Sequence, residues 1–516
     1  MGVVEAGPSA SGRPGVEDKG LKKDALGFVS SCVIGVASTA PGYSLAASLG
    51  LVVAIAGIGL QAPAVMLLAF VPMLLIASAY YYMNRADPDC GSTFSWVTRA
   101  MGPSWGWLGG WAIVVADVIV MANLAQIAGL YSFLLVGWQS AADSVTAVTM
   151  VGVVWIAIMT AICVIGIELS ARTQVGLLGA EIVTLVLFSV VALVKVATGD
   201  AGADAVDPSL SWLNPFAIDS VGALVSGVLI AVFIYWGWDS TVTVNEESRD
   251  SSEGPGKAAL LATVILLAIY IVVSYAAQSF AGPQELIDNA DDVLSVLGED
   301  VFGTPLDKIL IIAVLTSAAA STQTTILPTA RTSLSMARAR AIPSAFGEVH
   351  PRFLTPHIST ILMGILSIVW YVGLTIVSEN ILFDSLAALG LMISFYYGLT
   401  GFACTIYYRR ELTRSVKTFL LIGVAPLLGG VILAAIFVKS VIDYADPANS
   451  ESGDSWLGLG PPLVIGILFL VMGLVLMSWW RLTAGREFWR RRPEVVDPAI
   501  ASGAREALIE TELRND

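Results

Sequence analysis

The chain has 516 residues, of which 56% are hydrophobic and 13% charged, and its mean hydropathy is +0.78. Water-facing proteins carry about 25% charged residues, so this composition excludes an ordinary soluble catalytic domain and predicts an all-α integral membrane protein. A net charge of −14 argues against nucleic acid as a partner, and two histidines with four scattered cysteines leave no triad, disulfide framework or metal site to assemble.

Residues 1–24 are polar and lack the apolar stretch of a secretory signal, so they are expected to form a mobile cytoplasmic tail. Twelve membrane helices are expected, at about 26–50, 55–82, 104–136, 147–168, 172–197, 220–245, 257–280, 306–336, 357–377, 381–407, 417–439 and 461–481. Residues 25–482 then make one membrane domain, and 483–516 a second polar tail. With both tails cytoplasmic, all of the 27 lysines and arginines except Lys195, Lys308 and Lys439 fall on the inner side, as the positive-inside rule requires. The predicted outer loops are acidic, with Asp200, Asp204 and Asp207 in one and Asp288, Asp291, Asp292, Glu299 and Asp300 in another.

The first helix runs through Ser38-Thr39-Ala40-Pro41-Gly42. Pro41 has no N–H and Gly42 weakens a helix further, so the backbone there is expected to be open, or at least kinked. Free backbone groups at that depth are tolerated only where they line a cavity or bind something. After the second helix comes Pro88-Asp89-Cys90-Gly91-Ser92-Thr93-Phe94. The third helix carries Asp117 and Asn123, and the fifth carries Glu181 inside Gly179-Ala180-Glu181-Ile182. The sixth repeats the interruption of the first in Phe233-Ile234-Tyr235-Trp236-Gly237-Trp238-Asp239, followed by Asn245-Glu246-Glu247-Ser248. Phe233 and Trp236, three residues apart, are expected on one helix face toward the interior. The eighth helix holds Ser317, Ser321 and Thr322 and leaves the membrane through Arg331-Thr332-Ser333-Leu334-Ser335-Met336-Ala337-Arg338, continuing by Ile342-Pro343 to Thr355-Pro356. Interruptions opening two five-helix sets point to a transporter that holds its cargo between the two breaks.

Three of these stretches resemble motifs of the amino acid–polyamine–organocation superfamily of permeases. They are the eighth-helix exit, Phe233–Asp239 with the acids that follow it, and Pro88–Phe94. The resemblance spans about residues 25–480. It implies a LeuT-like fold of two inverted five-helix repeats plus two peripheral helices, and alternating access without covalent chemistry or a cofactor. The family's carboxylate-gripping Gly-Ser-Gly stands here as Thr39-Ala40-Pro41-Gly42, a departure that weakens the case for an amino-acid carboxylate. By an ungapped alignment, Glu181 falls where proton-coupled relatives carry a lysine.

Asp117, Glu181 and Asp239 lie deep in predicted spans without a comparably deep Lys or Arg. Acids at that depth are costly and by default functional. Glu181 is expected to carry a coupling proton, with Na⁺ binding or a structural hydrogen bond as alternatives; Ser317, Ser321 and Thr322 would face it. Asp239 is expected to act in gating beside Phe233, Trp236 and Gly237, and Asp117 either lines a vestibule with Asn123 or pairs with Asn123, Gln126 or a backbone group. Glu246 and Glu247 face solvent or pair with Arg338 or Arg331. The expected activity is proton-coupled uptake of an amino acid or small organic amine across the plasma (inner) membrane. A polyamine importer or an exchanger is the alternative, and a channel or nutrient sensor is more remote. The sequence sets no oligomeric state.

Overall fold

The computed structural model describes residues 18–491 except 291, 292, 378 and 451; Asp291, Asp292 and the far parts of both tails lie outside it. The described chain is all helical apart from turns and two isolated bridges. In order, the helices are α1 (Phe28–Ser38), α2 (Pro41–Ala54), α3 (Ala62–Ala86), α4 (Thr93–Met101), α5 (Pro103–Val136), α6 (Gln139–Ala142), α7 (Val145–Ile165), α8 (Ile167–Thr198) and α9 (Val221–Phe233). They continue as α10 (Ser240–Thr243), α11 (Gly254–Asp288), α12 (Val293–Phe302), α13 (Lys308–Arg338), α14 (His357–Val377), α15 (Glu379–Tyr407), α16 (Val416–Thr418), α17 (Ala425–Asp443) and α18 (Pro461–Thr483).

Among the described residues, eleven stretches are long and apolar enough to cross a membrane, taking α1 with α2 and α16 with α17 as single spans. The expected sixth span is the exception. Its apolar part, α9, has only 13 residues before the chain unwinds, and the four-residue α10 follows.

Burial sorts these elements. The most apolar window of 28–54 is 89% buried, whereas those of α7, α16–α17 and α18 are each 28% buried. The poorly buried helices present Met150, Val154, Val431, Val438, Leu468 and Val475 outward, the composition that a hydrocarbon surround demands. At the centre α5 packs along α13, and α1 and α2 lie against α11 and α13. From Ser317 to Thr325, α13 carries small and hydroxyl residues apart from Gln323, all buried. Small residues let neighbouring backbones approach closely in a membrane.

Two faces follow. Lys19, Asp89, Glu246 and Ser335 meet at one, here the near face. The opposite, far face is marked by Lys195, which donates to the Asp300 carbonyl, and by Gly57 beside Asp219. Within the stretch read as a tail, Lys19 and Leu21 are buried, and just past it the buried Leu26 exchanges backbone hydrogen bonds with Glu247 and Arg249. At the other end Phe488 is buried against Phe94.

Candidate functional site

The break between α1 and α2 is made by two residues. Pro41 occupies the first position of α2, where its missing N–H costs nothing. Ala40 before it is left-handed at φ 47°; such a conformation costs a non-glycine residue about 1–2 kcal/mol. The second break covers Ile234–Asp239 and turns on Gly237 at φ 118°, in the region that favours glycine. The two breaks face each other. A Cβ on Gly237 would lie 2.7 Å from the Ser38 carbonyl oxygen, and the Ser240 hydroxyl donates to the Ile34 carbonyl at 3.4 Å.

Four spans close around this pair. Glu181 of α8 accepts a hydrogen bond from the Gly42 N–H at 2.7 Å, while its second carboxylate oxygen is buried without a hydrogen-bond partner among the described residues. The Ser317 hydroxyl of α13 accepts from the Tyr43 N–H at 3.2 Å, and Ser321 donates to the Ser38 carbonyl at 2.9 Å. Thr39 donates back to Val36, and the Thr39 carbonyl accepts from Ser44 at 2.7 Å. On the other side Tyr270 of α11 donates to the Ile234 carbonyl. Two tyrosines of α15 complete the ring. Tyr396 and Tyr397 donate to the two Asp239 carboxylate oxygens at 3.2 and 2.9 Å, the Gly237 N–H donates to Tyr397, and Trp236 donates to Tyr396. Ser38, Thr39, Glu181, Trp236 and Asp239 are all buried, so the site is occluded from both faces.

The structure therefore brings Ser38, Thr39, Ala40, Pro41, Gly42, Glu181, Ser317, Ser321, Gly237 and Asp239 to one locus. Thr322 stands apart from them: its hydroxyl donates to Ala318 in its own helix, as membrane-helix threonines commonly do. α9 ends at Phe233, which is half-buried, and Trp236 is buried in the turn that follows, its backbone N–H donating to the Phe233 carbonyl at 3.0 Å. Asp117 accepts from Thr329 of α13 at 2.5 Å, rather than from Asn123 or Gln126. Asn123 donates to the Leu382 carbonyl, and Gln126 accepts from Tyr371. Tyr270, Tyr396 and Tyr397 went unread, because an aromatic in an apolar run carries no mark of what its hydroxyl meets.

Toward the near face a second polar layer lies below the breaks. Arg331 forms a two-pronged, fully buried pair with Glu247, at 2.6 and 2.9 Å. Of the two partners considered for the acid pair, Arg331 takes Glu247, and Glu246 turns to Lys19. Lys19 also reaches Asp89 at 2.9 Å, and Asp89 collects the hydroxyls of Ser95 and Ser335 and the Gly91 N–H. Burial works against the Lys19 ammonium, but Asp89 and Glu246 outweigh it and hold its pKa well above the usual lysine range. Burial likewise opposes the Asp89 charge, and Lys19 with the two hydroxyls overcomes it, leaving that carboxyl well below its usual range.

Comparison with known proteins agrees with this architecture. The amino acid permease family matches residues 26–477. The chain is 30% identical over 355 residues to an uncharacterized transporter of Mycobacterium tuberculosis, covering 66% of this chain and 71% of that one. It is 24% identical over 400 residues to the serine/threonine exchanger SteT of Bacillus subtilis, covering 76% and 85%. It is 20% identical over 413 residues to the low-affinity putrescine importer PlaP of Escherichia coli, covering 80% and 84%.

Proposed function

The chain belongs to the amino acid permease family and is a transporter rather than an enzyme, and from that membership we propose proton-coupled uptake of an amino acid or small organic amine by alternating access. The observation that carries this reading is the pair of facing backbone breaks with a buried carboxylate hydrogen-bonded to one of them. Broken helices at mid-depth are where secondary transporters hold cargo and coupling ions. Relatives that exchange serine and threonine or import putrescine support small amino acids and amines as the substrate class.

In this reading the protein crosses the membrane twelve times, α9, the unwound turn and α10 making the sixth crossing. The crossings at 28–54 and 221–247 open the two halves of a LeuT-like inverted repeat, with two peripheral helices after them. Residues 25–482 form the transport domain, and both tails are cytoplasmic at the plasma (inner) membrane. The near face is then the cytoplasmic side, shut by Lys19, Asp89 and Glu246 and by Arg331 with Glu247. Inward opening separates these pairs. Glu181 is the coupling group: the proton rides on the oxygen that no hydrogen bond holds, and its departure to the cytoplasm resets the cycle. No cofactor is required.

Uptake of a labelled amino acid and amine panel into proteoliposomes, with and without an imposed inward proton gradient, tests this. Wild type should accumulate at least one compound more than tenfold under the gradient. Glu181→Gln should retain counterflow of that compound and lose the gradient-driven part. Gradient-driven accumulation in the variant equal to wild type would remove Glu181 from coupling.

A further inference from the structure

A helix N-terminus that faces a transport site ordinarily offers free N–H groups and a partial positive charge to an anion. The N-terminus of α2 has none left. Pro41 has no N–H, Gly42 donates to Glu181 at 2.7 Å, Tyr43 donates to Ser317 at 3.2 Å, and Ser44 closes the first helical bond to Ala40 at 2.8 Å. The two residues ahead are also used, Thr39 donating to Val36 and Ala40 to Ala37. The approach of Glu181 is close. A Cβ on Gly42 would stand 3.3 Å from the bound carboxylate oxygen, so the glycine makes room for it.

Charge points the same way. None of the ion pairs among the described residues involves Glu181 or Asp239, so the locus holds two buried acids whose only recorded partners are N–H and hydroxyl donors. The second Glu181 oxygen is fully buried and has no hydrogen-bond partner among the described residues, so nothing but the coupling proton competes for it. A carboxylate entering here would meet like charge and no open helix terminus, whereas an ammonium group would meet complementary charge.

We infer that Glu181 is a specificity-determining residue, an internal stand-in for a substrate carboxylate at the N-terminus of α2, and that the cargo is an organic cation carrying no carboxylate. The inference rests on the transporter reading above and narrows its substrate class. An ammonium of the cargo is held at Asp239, beside Trp236, while Glu181 keeps the N-terminus of α2 closed to a carboxylate.

Matched pairs isolate the carboxylate: putrescine with ornithine, cadaverine with lysine, agmatine with arginine. Each pair shares a skeleton and differs by one carboxylate. In proteoliposomes of the full-length protein, the amine of at least one pair should be taken up and should compete at a concentration at least tenfold lower than its amino acid. Glu181→Ala frees the Gly42 N–H and should shift that ratio at least tenfold toward the amino acid. Glu181→Gln keeps an acceptor on Gly42 and should leave the ratio as in wild type, and where the alanine variant does not fold the wild-type pairs alone decide the inference. Amino acids entering as well as or better than their amines would overturn the inference while leaving the transporter reading intact, as would an unchanged ratio in a folded Glu181→Ala protein. Uptake of neither member of any pair, nor of any other amino acid or amine, would overturn the transporter reading and the inference with it.

Discussion

Individual side chains carry the polar chemistry of this bundle, and Asp87 gives it a measurable pH signature. It caps α3 outside the membrane spans, is 2% exposed, and stands 3.1 Å from the Arg99 guanidinium. Burial pushes its carboxyl up to about 7, against the pull of Arg99. In the unfolded chain the same group titrates near 4. Between those values the folded protein holds a proton that the unfolded chain has released, so this group's contribution to stability falls as pH rises from about 4 to about 7, then levels off. Asp87→Asn removes that step. The melting temperature of the variant relative to wild type should be higher at pH 8 than at pH 5, and a difference independent of pH would contradict the assignment. At this scale the sequence was partly legible. Glu181 and Asp239 stand out because an acid inside an apolar run is costly at that depth. Lys19 does not stand out, since one lysine in a polar tail looks solvated until the fold brings Asp89 and Glu246 around it.

At the scale of elements, the two breaks are the features on which the proposed cargo binding depends. Pro41-Gly42 and Gly237 announce them in the sequence because proline and glycine act on the backbone itself, whatever the tertiary context. What the sequence concealed is which groups satisfy the opened backbone, because Ser317, Ser321 and the tyrosines of α11 and α15 arrive from remote spans. Gly237→Ala tests the close approach directly. Its methyl would sit 2.7 Å from the Ser38 carbonyl oxygen on a backbone at φ 118°, so the breaks must part or the turn must rewind. Uptake should fall at least tenfold in protein that still elutes as a single species in detergent. Gly373→Ala, with open space around it on α14, should transport normally. Equal uptake by the two variants would show that the contact between the breaks is dispensable.

For the molecule as a whole, the apolar runs anticipated the membrane-length helices, since the bilayer constrains length and composition more tightly than water does. The unwound sixth crossing is too short to count as a span by length alone, which is why eleven stretches meet that standard where twelve crossings are proposed. The closed near face and the occluded breaks fit one station of an alternating cycle. The most direct test is a single cysteine in place of Ser38, on the carbonyl side of the first break, labelled with a membrane-impermeant thiol reagent in right-side-out and inside-out vesicles. Native Cys32, Cys90, Cys163 and Cys404 are buried and can be replaced to remove background. The account predicts labelling from each side in turn, with transported substrate slowing it from both. Labelling from one side only, or at a rate that substrate leaves unchanged, would contradict it.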